Sequence, residues 1–237
     1  METIKYLSWD SEFFNKKIGQ INCNESDCSG SELDKLISDA KQGNYQLLYV
    51  FVKNNYSLLH IENNILKLVD EKVIYTRIID ENISFYFDDV NEYTSDEVHA
   101  GLLSLAYQSG EYSRFKIDKG FAKDDFFRLY KRWIEKSVSR ETANKVFVTK
   151  KDDKITGMVT LSYKSDCAVI GLIAVDNSYR GKAYGTQLLN ACFDDILKNK
   201  IDRIEIATQK NNINACRFYE KNGFEVKNVT NVYHLWI

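Results

Sequence analysis

The sequence predicts an α/β (α+β) fold in which helices flank a mixed, mostly antiparallel and twisted sheet. Three observations predict it. An apolar run, residues 169–175, ends in a small polar turn that opens an amphipathic helix. Residues 203–208 then alternate like a strand, and a short helix after them closes at Asn222-Gly223, as a left-handed cap requires. Upstream, three strand-like runs are joined by tight turns, which is typical of antiparallel pairing.

The elements from residue 83 onward follow one another in a regular order. The pattern predicts a first strand, two helices of which Ser95 caps the first, three strands, the helix of the glycine-containing turn, a strand, a short helix and two final strands. The predicted ranges that carry this order are 83–90, 96–109, 124–139, 145–151, 155–164, 167–175, 203–208, 224–229 and 231–237.

The chain divides into two parts, a smaller N-terminal domain (1–82) and the main domain (83–237). Residues 45–79 resemble residues 201–237, which indicates a degenerate internal repeat. Lys53-Asn54-Asn55 aligns with Lys210-Asn211-Asn212, and each copy ends in a strand with a tyrosine, Tyr75 or Tyr233. Glu62 stands near the position of Tyr219, so we expect the first copy to be structural. Chance similarity between two Asn-rich units is the alternative.

Composition limits the kinds of partner. The 237 residues are 44% hydrophobic, with a formal net charge of -2, so a packed core is expected and a nucleic-acid partner is not. Neither a signal-peptide core nor an apolar run of roughly 18 residues, the length that spans a bilayer, is present. The five cysteines have no spacing typical of zinc, so we expect reduced thiols, a cytoplasmic location and no metal.

The turn between residues 175 and 189 predicts an anion site. A strand, a tight turn and a helix leave unpaired N–H groups at the helix N-terminus, where they and the helix dipole attract phosphate. Arg180 and Lys182 add positive charge, and Gly181, Ala183 and Gly185 leave room for a pyrophosphate. The turn is neither a Walker loop nor Gly-x-Gly-x-x-Gly, and an ordinary strand-to-helix turn is the competing interpretation.

Two motifs in this part of the chain resemble the GNAT family of acetyl-CoA-dependent N-acetyltransferases. Arg180-x-x-Ala183-x-Gly185 resembles the family's Arg/Gln-x-x-Gly-x-Gly/Ala, with Ala183 where glycine is usual. Asn212, Ala215 and Tyr219 match Asn-x-x-Ala-x-x-x-Tyr about 30 residues downstream. The resemblance implies the GNAT fold and acetyl-CoA as co-substrate. It implies coenzyme contacts at Ile173, Ala174, Val175, Arg180, Gly181, Lys182, Ala183, Tyr184, Gly185, Thr186, Asn212 and Ala215.

The same resemblance implies roles in catalysis. The strand before the turn should bulge at Gly171, and a backbone N–H near Ile173 or Ala174 should bind the acetyl oxygen. A plain core strand is the alternative. Tyr219 is the candidate general acid, because a phenol with a pKa of about 10 stays protonated at neutral pH. It could instead be a packing aromatic. Asn212 is predicted to bind the coenzyme, to cap a helix, or both.

The acceptor side is less defined. None of the histidines His60, His99 and His234 is assigned as a base, and loss of the proton to water is equally compatible with the sequence. Ser113-Arg114-Phe115 and Tyr130-x-x-Trp133, with the opening segment 7–19, resemble the sugar-nucleotide members of the family, closest to the TDP-fucosamine acetyltransferases. That resemblance implies a dTDP-linked 4-amino-4,6-dideoxygalactose as acceptor, bound by Arg114, Phe115, Tyr130 and Trp133. Each of these residues could instead pack a core or lie on the surface.

Three functions stay open on the sequence. The first is acetyl transfer to a dTDP-amino sugar in bacterial surface-polysaccharide synthesis. The second is transfer to a peptide, polyamine or antibiotic amine, and the third is a non-catalytic acetyl-CoA-binding module. Because only one copy of the repeat carries the cationic turn, one acetyl-CoA site per chain is expected. Strand edges left uncovered at the C-terminus predict a homodimer.

Overall fold

A computed structural model describes residues 4–23, 30–53 and 66–237. The strands within these residues are β1 (Lys5–Tyr6), β2 (Ile18–Cys23), β3 (Leu47–Lys53), β4 (Lys67–Ile78), β5 (Val90–Glu92), β6 (Lys145–Lys151), β7 (Lys154–Tyr163), β8 (Ala168–Val175), β9 (Arg203–Gln209) and β10 (Glu225–Trp236). The helices are α1 (Ser8–Phe14), α2 (Gly30–Gln42), α3 (Ala100–Ser109), α4 (Arg114–Ile117), α5 (Asp125–Val138), α6 (Tyr184–Lys198) and α7 (Ile213–Lys221).

The described strands form one mixed sheet in the order β1-β2-β3-β10-β4-β9-β8-β7-β6-β5. The pairs β2–β3 and β8–β9 are parallel, and the others are antiparallel. Alternate side chains pack on opposite faces. One face carries α1, α3, α4 and α5, and the other carries α2, α6 and α7. The predicted mixed, mostly antiparallel sheet flanked by helices is therefore confirmed.

Several predicted element bounds are wrong. The strand predicted at 83–90 is reduced to β5, because Phe85 and Phe87 pack against the core beside α6 without a strand partner. Helix α3 begins at Ala100 instead of residue 96, and its cap is His99. The Ser95 hydroxyl bonds Glu97 N–H before the helix begins. The two strands predicted at the end are one strand, β10, because two register shifts let it continue.

Strands from the two predicted domains alternate in the centre of the sheet. Strand β4 lies between β10 and β9, and β10 lies between β3 and β4. A boundary at residue 82 therefore does not separate two sheets. The edges of the sheet are β1 and β5, so the uncovered C-terminal strand edge on which we based a homodimer is absent from the described sheet. From Thr230 to His234, β10 has partners on both sides.

Strands β4 and β10, which each pair with a strand of the other part of the chain and are called the exchanged strands, are related by an approximate two-fold symmetry. Strand β3 pairs with β10 so that Leu47 faces Trp236 and Lys53 faces Thr230. Strands β9 and β4 pair in the same way, so that Arg203 faces Ile78 and Gln209 faces Lys72. Each β9 residue is numbered 156 above its counterpart in β3, and each β4 residue is numbered 158 below its counterpart in β10. The same order, strand, helix, parallel strand and exchanged strand, thus occurs twice. The aligned residues Asn54, Asn55, Glu62, Asn63, Asn64 and Ile65 lie outside the described residues.

The cysteines depart from the sequence prediction at one position. Cys167 and Cys192 are buried thiols and Cys216 is a half-buried one, as expected. Cys23, at the end of β2, is disulfide-bonded, so the prediction that all five are reduced thiols is wrong there. Cys28 lies outside the described residues.

Candidate functional site

Strand β8 bulges where the sequence predicts it. Val159 and Leu161 of β7 face Ile173 and Ile170, so β8 carries one extra residue between them. Thr160 fills the irregularity, because its Oγ1 accepts a hydrogen bond of 2.8 Å from Leu172 N–H. A Cβ added at Gly171 would lie 2.9 Å from that oxygen, so glycine is required by the close approach of the Thr160 side chain. The predicted bulge at Gly171 is confirmed.

The bulge is followed by an opening between β8 and β9. These strands pair only from Ala168 to Ile170, although β8 continues to Val175. The N–H groups of Leu172 and Asp176 bond to Thr160 Oγ1 and Thr156 O of β7. Because N–H groups alternate along a strand, those of Ile173 and Val175 point into the opening. The N–H of Ala174 points toward β7, so of the two predicted donors Ile173 has the required direction and Ala174 does not.

The turn after β8 presents the first turn of α6. A short 3-10 turn, Asn177–Tyr179, is capped by Asp176, which accepts from Ser178 N–H at 3.0 Å. Gly181 and Ala183 then adopt positive φ angles of 77° and 62°. The first intrahelical bond of α6 runs from Gln187 N–H to Ala183 O. The N–H groups of Tyr184, Gly185 and Thr186 therefore have no intrahelical acceptor and are available to an anion.

Gly181 and Gly185 are glycines for different structural reasons. A Cβ at Gly181 would meet nothing within 4 Å, so this position leaves space for a ligand, but its φ favours glycine. A Cβ at Gly185 would lie 3.0 Å from the Phe218 ring on α7. The prediction that Gly185 leaves room for a pyrophosphate stays a prediction, and the packing of Phe218 gives a second reason for glycine at this position. Glycine at this position lets α6 and α7 approach each other.

Three cationic side chains surround the turn. The Arg180 Nε donates a 3.0 Å hydrogen bond to Val175 O, which holds the guanidinium beside the end of β8. The Lys182 and Lys154 ammonium groups lie 5.3 Å and 5.4 Å from the centre of the Tyr179 ring. Lys154 begins β7 and was missed by the sequence analysis, because only the fold brings the β6–β7 hairpin to this turn.

Asn212 and Ala215 are connected by the cap of α7. The Asn212 Oδ1 accepts a hydrogen bond of 3.2 Å from Ala215 N–H, which is the capping role expected of an asparagine before a helix. That bond occupies the side-chain oxygen and leaves the amide N–H groups as donors. Ala215 itself is half-buried against the core beneath α6.

Tyr219 lies inside the layer formed by α6, α7 and the sheet. It is only 4% exposed, and its ring lies 5.6 Å from that of Tyr75 and 5.9 Å from that of Phe224. No hydrogen bond to its hydroxyl is formed by the described residues. Burial raises the pKa of the phenol above its ordinary value, so the group is neutral over the physiological pH range. Both the packing and the acid interpretations of Tyr219 fit this environment.

The residues predicted to bind the acceptor lie on the other face of the sheet. The Arg114 guanidinium carbon lies 4.6 Å from the centre of the Phe115 ring and 4.8 Å from that of Tyr49. Tyr130 is buried, with its ring 5.7 Å from that of Trp133. Trp133 is 37% exposed, and its indole borders the Gly171 bulge, since a Cβ there would lie 3.5 Å from the indole nitrogen. This face therefore carries Arg114 among aromatic rings and places Trp133 beside the opening.

A polar group on the same face was missed by the sequence analysis. Asp70 and Lys72 of β4 project toward α4, and both interact electrostatically with Arg114. The Asp70 Oδ1 and the Arg114 Nε are each buried without a hydrogen-bond partner among the described residues. The signal for this group in the sequence was Asp70 itself, a single acidic residue on the inward face of a strand-like pattern. It lies in the part of the chain that we expected to be structural.

The histidines with described surroundings have structural contacts. The His99 Nδ1 caps α3 by accepting from Gly101 N–H, and His60 lies outside the described residues. His234 is fully buried and bonds Asp118 through Nδ1 at 2.6 Å. Burial lowers the pKa of His234, so the ring is neutral and donates its Nδ1 proton to Asp118. Trp236 Nε1 also donates to Asp118, which ties β10 to the loop after α4.

The part of the chain that the structure describes contains neither a candidate metal cluster nor a candidate membrane-spanning helix. Among the described residues, no cluster of three or more His, Cys, Asp or Glu side chains has an arrangement that could hold a metal ion. None of the helices they form combines the length and apolar character needed to cross a bilayer.

Comparison with known proteins defines the class. The model of the Acetyltransferase (GNAT) family matches residues 107–224. The structure of a GCN5-related N-acetyltransferase from Sphaerobacter thermophilus aligns over 98% of this chain and 75% of that one, with a TM-score of 0.62 and 12% identity, which shows a shared fold. Residues 107–224 belong to the Acetyltransferase (GNAT) family, and the chain has the GNAT fold.

Two curated relatives from Bacillus subtilis (strain 168) match about half of the chain. The spore coat polysaccharide biosynthesis protein SpsD is 24% identical over 135 residues, which cover 57% of this chain and 46% of SpsD. The chain thus spans about half the length of that relative. Streptothricin acetyltransferase A is 27% identical over 137 residues, covering 57% of this chain and 78% of that protein.

Proposed function

We propose that the protein transfers acetyl from acetyl-CoA to the amino group of a nucleotide-linked amino-deoxysugar. The coenzyme is placed along the opening between β8 and β9. Its pyrophosphate meets the N–H groups of Tyr184, Gly185 and Thr186 together with Arg180 and Lys182, where dipole and charge favour an anion. The acetyl oxygen is placed at the N–H of Ile173. The opening and the first turn of α6 support this placement.

Transfer is direct in this proposal. Holding amine and thioester together supplies up to about 7–11 kcal/mol through orientation alone. The amine nitrogen attacks the acetyl carbon, and the N–H of Ile173 stabilises the negative charge that develops on the oxygen. The neutral Tyr219 phenol then gives its proton to the departing thiolate. Because only β8 and β9 separate in this way among the described parallel pairs, we propose one coenzyme site per chain.

One observation carries the assignment of the acceptor. Arg114 lies among aromatic rings on the acceptor face, with a buried Nε that has no partner among the described residues. Such a guanidinium suits the diphosphate of a sugar nucleotide, and aromatic faces suit its base or sugar. Lys72, with Lys164 near it, adds positive charge. The match to SpsD, named for polysaccharide biosynthesis, is compatible with such an acceptor, of which dTDP-4-amino-4,6-dideoxygalactose is our first candidate.

An acceptor panel tests the proposal. Release of free thiol from acetyl-CoA is measured with the dTDP-amino sugar, the same amino sugar without nucleotide, a polyamine, a peptide with a free N-terminus and a streptothricin-type amine. We expect turnover with the nucleotide-linked sugar and at least about tenfold lower kcat/KM without the diphosphate, because the Arg114 contact is lost. Preference for the antibiotic amine, which the match to streptothricin acetyltransferase A makes the second candidate, would overturn the sugar assignment.

Other outcomes of the panel separate the remaining proposals. Binding of acetyl-CoA without turnover on any amine would favour a non-catalytic module. Sedimentation of the purified chain tests the proposed homodimer, which now needs an interface other than the C-terminal strand. A cytoplasmic location, where acetyl-CoA and sugar nucleotides are available, belongs to the same proposal.

A further inference from the structure

We propose that Asp70, contributed by the first part of the chain, is the base that accepts a proton from the acceptor's ammonium group. This inference rests on the proposed function, because it concerns the amine that the enzyme acetylates. No base is assigned by the motifs of the second part of the chain. The strand exchange brings β4 into the sheet beside β9, and so brings Asp70 to the acceptor side of the opening.

The position of Asp70 follows from the register of β4. Lys72 faces Gln209, the last residue of β9, at the end where β9 has separated from β8. Asp70 lies two residues further along β4 and therefore projects from the same face as Lys72. The Gln209 side chain contacts the Asp70 carboxyl group. The carboxylate is thus placed beside the end of β9 and on the face that carries Arg114 and Trp133.

The Asp70 carboxylate is incompletely satisfied. The residue is 7% exposed, and its Oδ1 is buried with no hydrogen bond from the described residues. Arg114 influences it electrostatically, but no ion pair between the two is formed within 4 Å. A buried acceptor without a donor costs about 1–3 kcal/mol, and more when it is charged. A bound ammonium group would supply the missing donor and remove that cost.

The surroundings of Asp70 give its carboxylate a pKa that suits a base. Burial raises the pKa of Asp70 to about 6, although Arg114 from α4, the Gln209 contact and Lys72 lower it and Glu71 raises it. Tyr130 from α5 also faces it. Because this pKa lies near and below neutral pH, the carboxylate is mostly ionised at pH 7 and is a stronger base than an ordinary aspartate.

His234, a second buried group that could act as a base, fits the role less well than Asp70. The His234 Nε2 also lacks a partner, but the ring stacks on Tyr49 at 4.9 Å and is held by Asp118. His234 faces Lys67 and Tyr49 in the sheet, which places it further than Asp70 from the end of β9.

The proton and electron balance of the step is complete. The ammonium group gives one proton to the Asp70 carboxylate, and the freed nitrogen lone pair forms the N–C bond to the acetyl carbon. The C–S bond breaks, and the thiolate takes the Tyr219 proton. The second nitrogen proton, released as the amide forms, restores Tyr219 through solvent, and Asp70 loses its proton to solvent. The sum is amide, free thiol and one proton.

The test compares the pH dependence of Asp70→Asn with that of the wild type. We expect kcat/KM for the amine at pH 7 to fall about 10²–10⁴-fold. Without a base only the neutral amine reacts, so the deficit should shrink by about tenfold for each unit of pH up to the pKa of the amine. The matched control is Glu205→Gln, which removes a carboxylate on β9 that pairs with Lys227 at 2.6 Å. It should retain the wild-type profile.

Two further measurements separate catalysis from structure. Asp70→Asn should bind acetyl-CoA normally and unfold at an equal or higher denaturant concentration, because a buried unpaired charge is removed. Gln209→Ala removes a contact that lowers the pKa of Asp70, so the acid limb of its profile should move to higher pH. A constant deficit at all pH values, or a rise in KM alone, would overturn the assignment. Wild-type protein without turnover on any amine would instead overturn the proposed function.

Discussion

The two strand–helix–strand units of the sheet have the same topology but differ in how far their parallel strands stay together. In the first, β2 pairs with β3 over six positions, from Ile18 to Cys23. In the second, β8 pairs with β9 over three, from Ala168 to Ile170. The difference coincides with the bulge at Gly171, which lies in β8 directly after its last position paired with β9. The same topology thus gives a closed pair of parallel strands in one unit and an open pair in the other.

The sequences that follow the first strand of each unit differ in charge as well. The second unit continues from β8 into a turn with Arg180 and Lys182. The corresponding sequence of the first unit, residues 24–29, contains two acids and no cation. A phosphate would be attracted by one and repelled by the other. The first unit nevertheless contributes β4, and with it Asp70, to the face proposed for the acceptor.

The largest effect on turnover is expected from removing the hydroxyl group of Tyr219, compared with removing that of Tyr75 in the first unit. Tyr219→Phe removes the proposed acid and should lower kcat about 10²–10⁴-fold with little change in KM for acetyl-CoA. Tyr75→Phe is the matched control, since its ring lies beside that of Tyr219 but its hydroxyl bonds Glu220 at 2.8 Å. It should cost about 1 kcal/mol of stability and leave kcat unchanged. Turnover of Tyr219→Phe at the wild-type rate would leave Tyr219 as a packing residue.

The next effect concerns the cationic turn. Arg180→Ala should weaken acetyl-CoA binding about 10–100-fold, as expected from loss of a charged hydrogen bond worth about 1.5–3 kcal/mol. Calorimetric titration with acetyl-CoA measures this. Lys198→Ala, at the other end of α6, is the control, because that side chain pairs with Asp194 and lies far from the turn. Equal affinities for the two variants would remove Arg180 from the coenzyme site.

A smaller effect should appear in stability. Gly185→Ala places a Cβ 3.0 Å from the Phe218 ring and should destabilise the contact of α6 with α7 by about 1–3 kcal/mol. Gly181→Ala meets no atom and should cost only the backbone penalty of its positive φ, about 1 kcal/mol. Denaturant unfolding compares the two. If Gly181→Ala were the more damaging, helix packing would not explain Gly185.

The smallest effect has the opposite sign. Ala183 begins α6 at a φ of 62°, where a Cβ is unfavourable, so Ala183→Gly should stabilise the chain by up to about 1 kcal/mol. Ala106→Gly, in the interior of α3, should destabilise it by at least about 1 kcal/mol. Loss of stability in both variants would mean that the Ala183 methyl group has contacts that outweigh its backbone strain.

The bulge, the turn and the start of α6 could be anticipated because most of their signals are local. The run from Gly171 to Gly185 contains all three, although the bulge also depends on Thr160 of β7. The packing at Gly185 cannot be predicted from neighbouring residues, because the ring that a larger residue would meet belongs to Phe218, more than 30 residues away. Ser95 shows the same limit, because two neighbouring residues could cap α3 and the structure uses His99.

Residues close together in the chain were enough to predict the resemblance to the family, the sheet-and-helix class and the strand–turn–helix order around Gly181. That β4 and β10 each pair with strands of the other part of the chain, and that Asp70, Lys72 and Arg114 share one face, follows from the tertiary structure. The register of β4 against β9 joins residues 125 to 137 positions apart. Such pairings arise from the packing of whole strands, and local propensity carries no information about them.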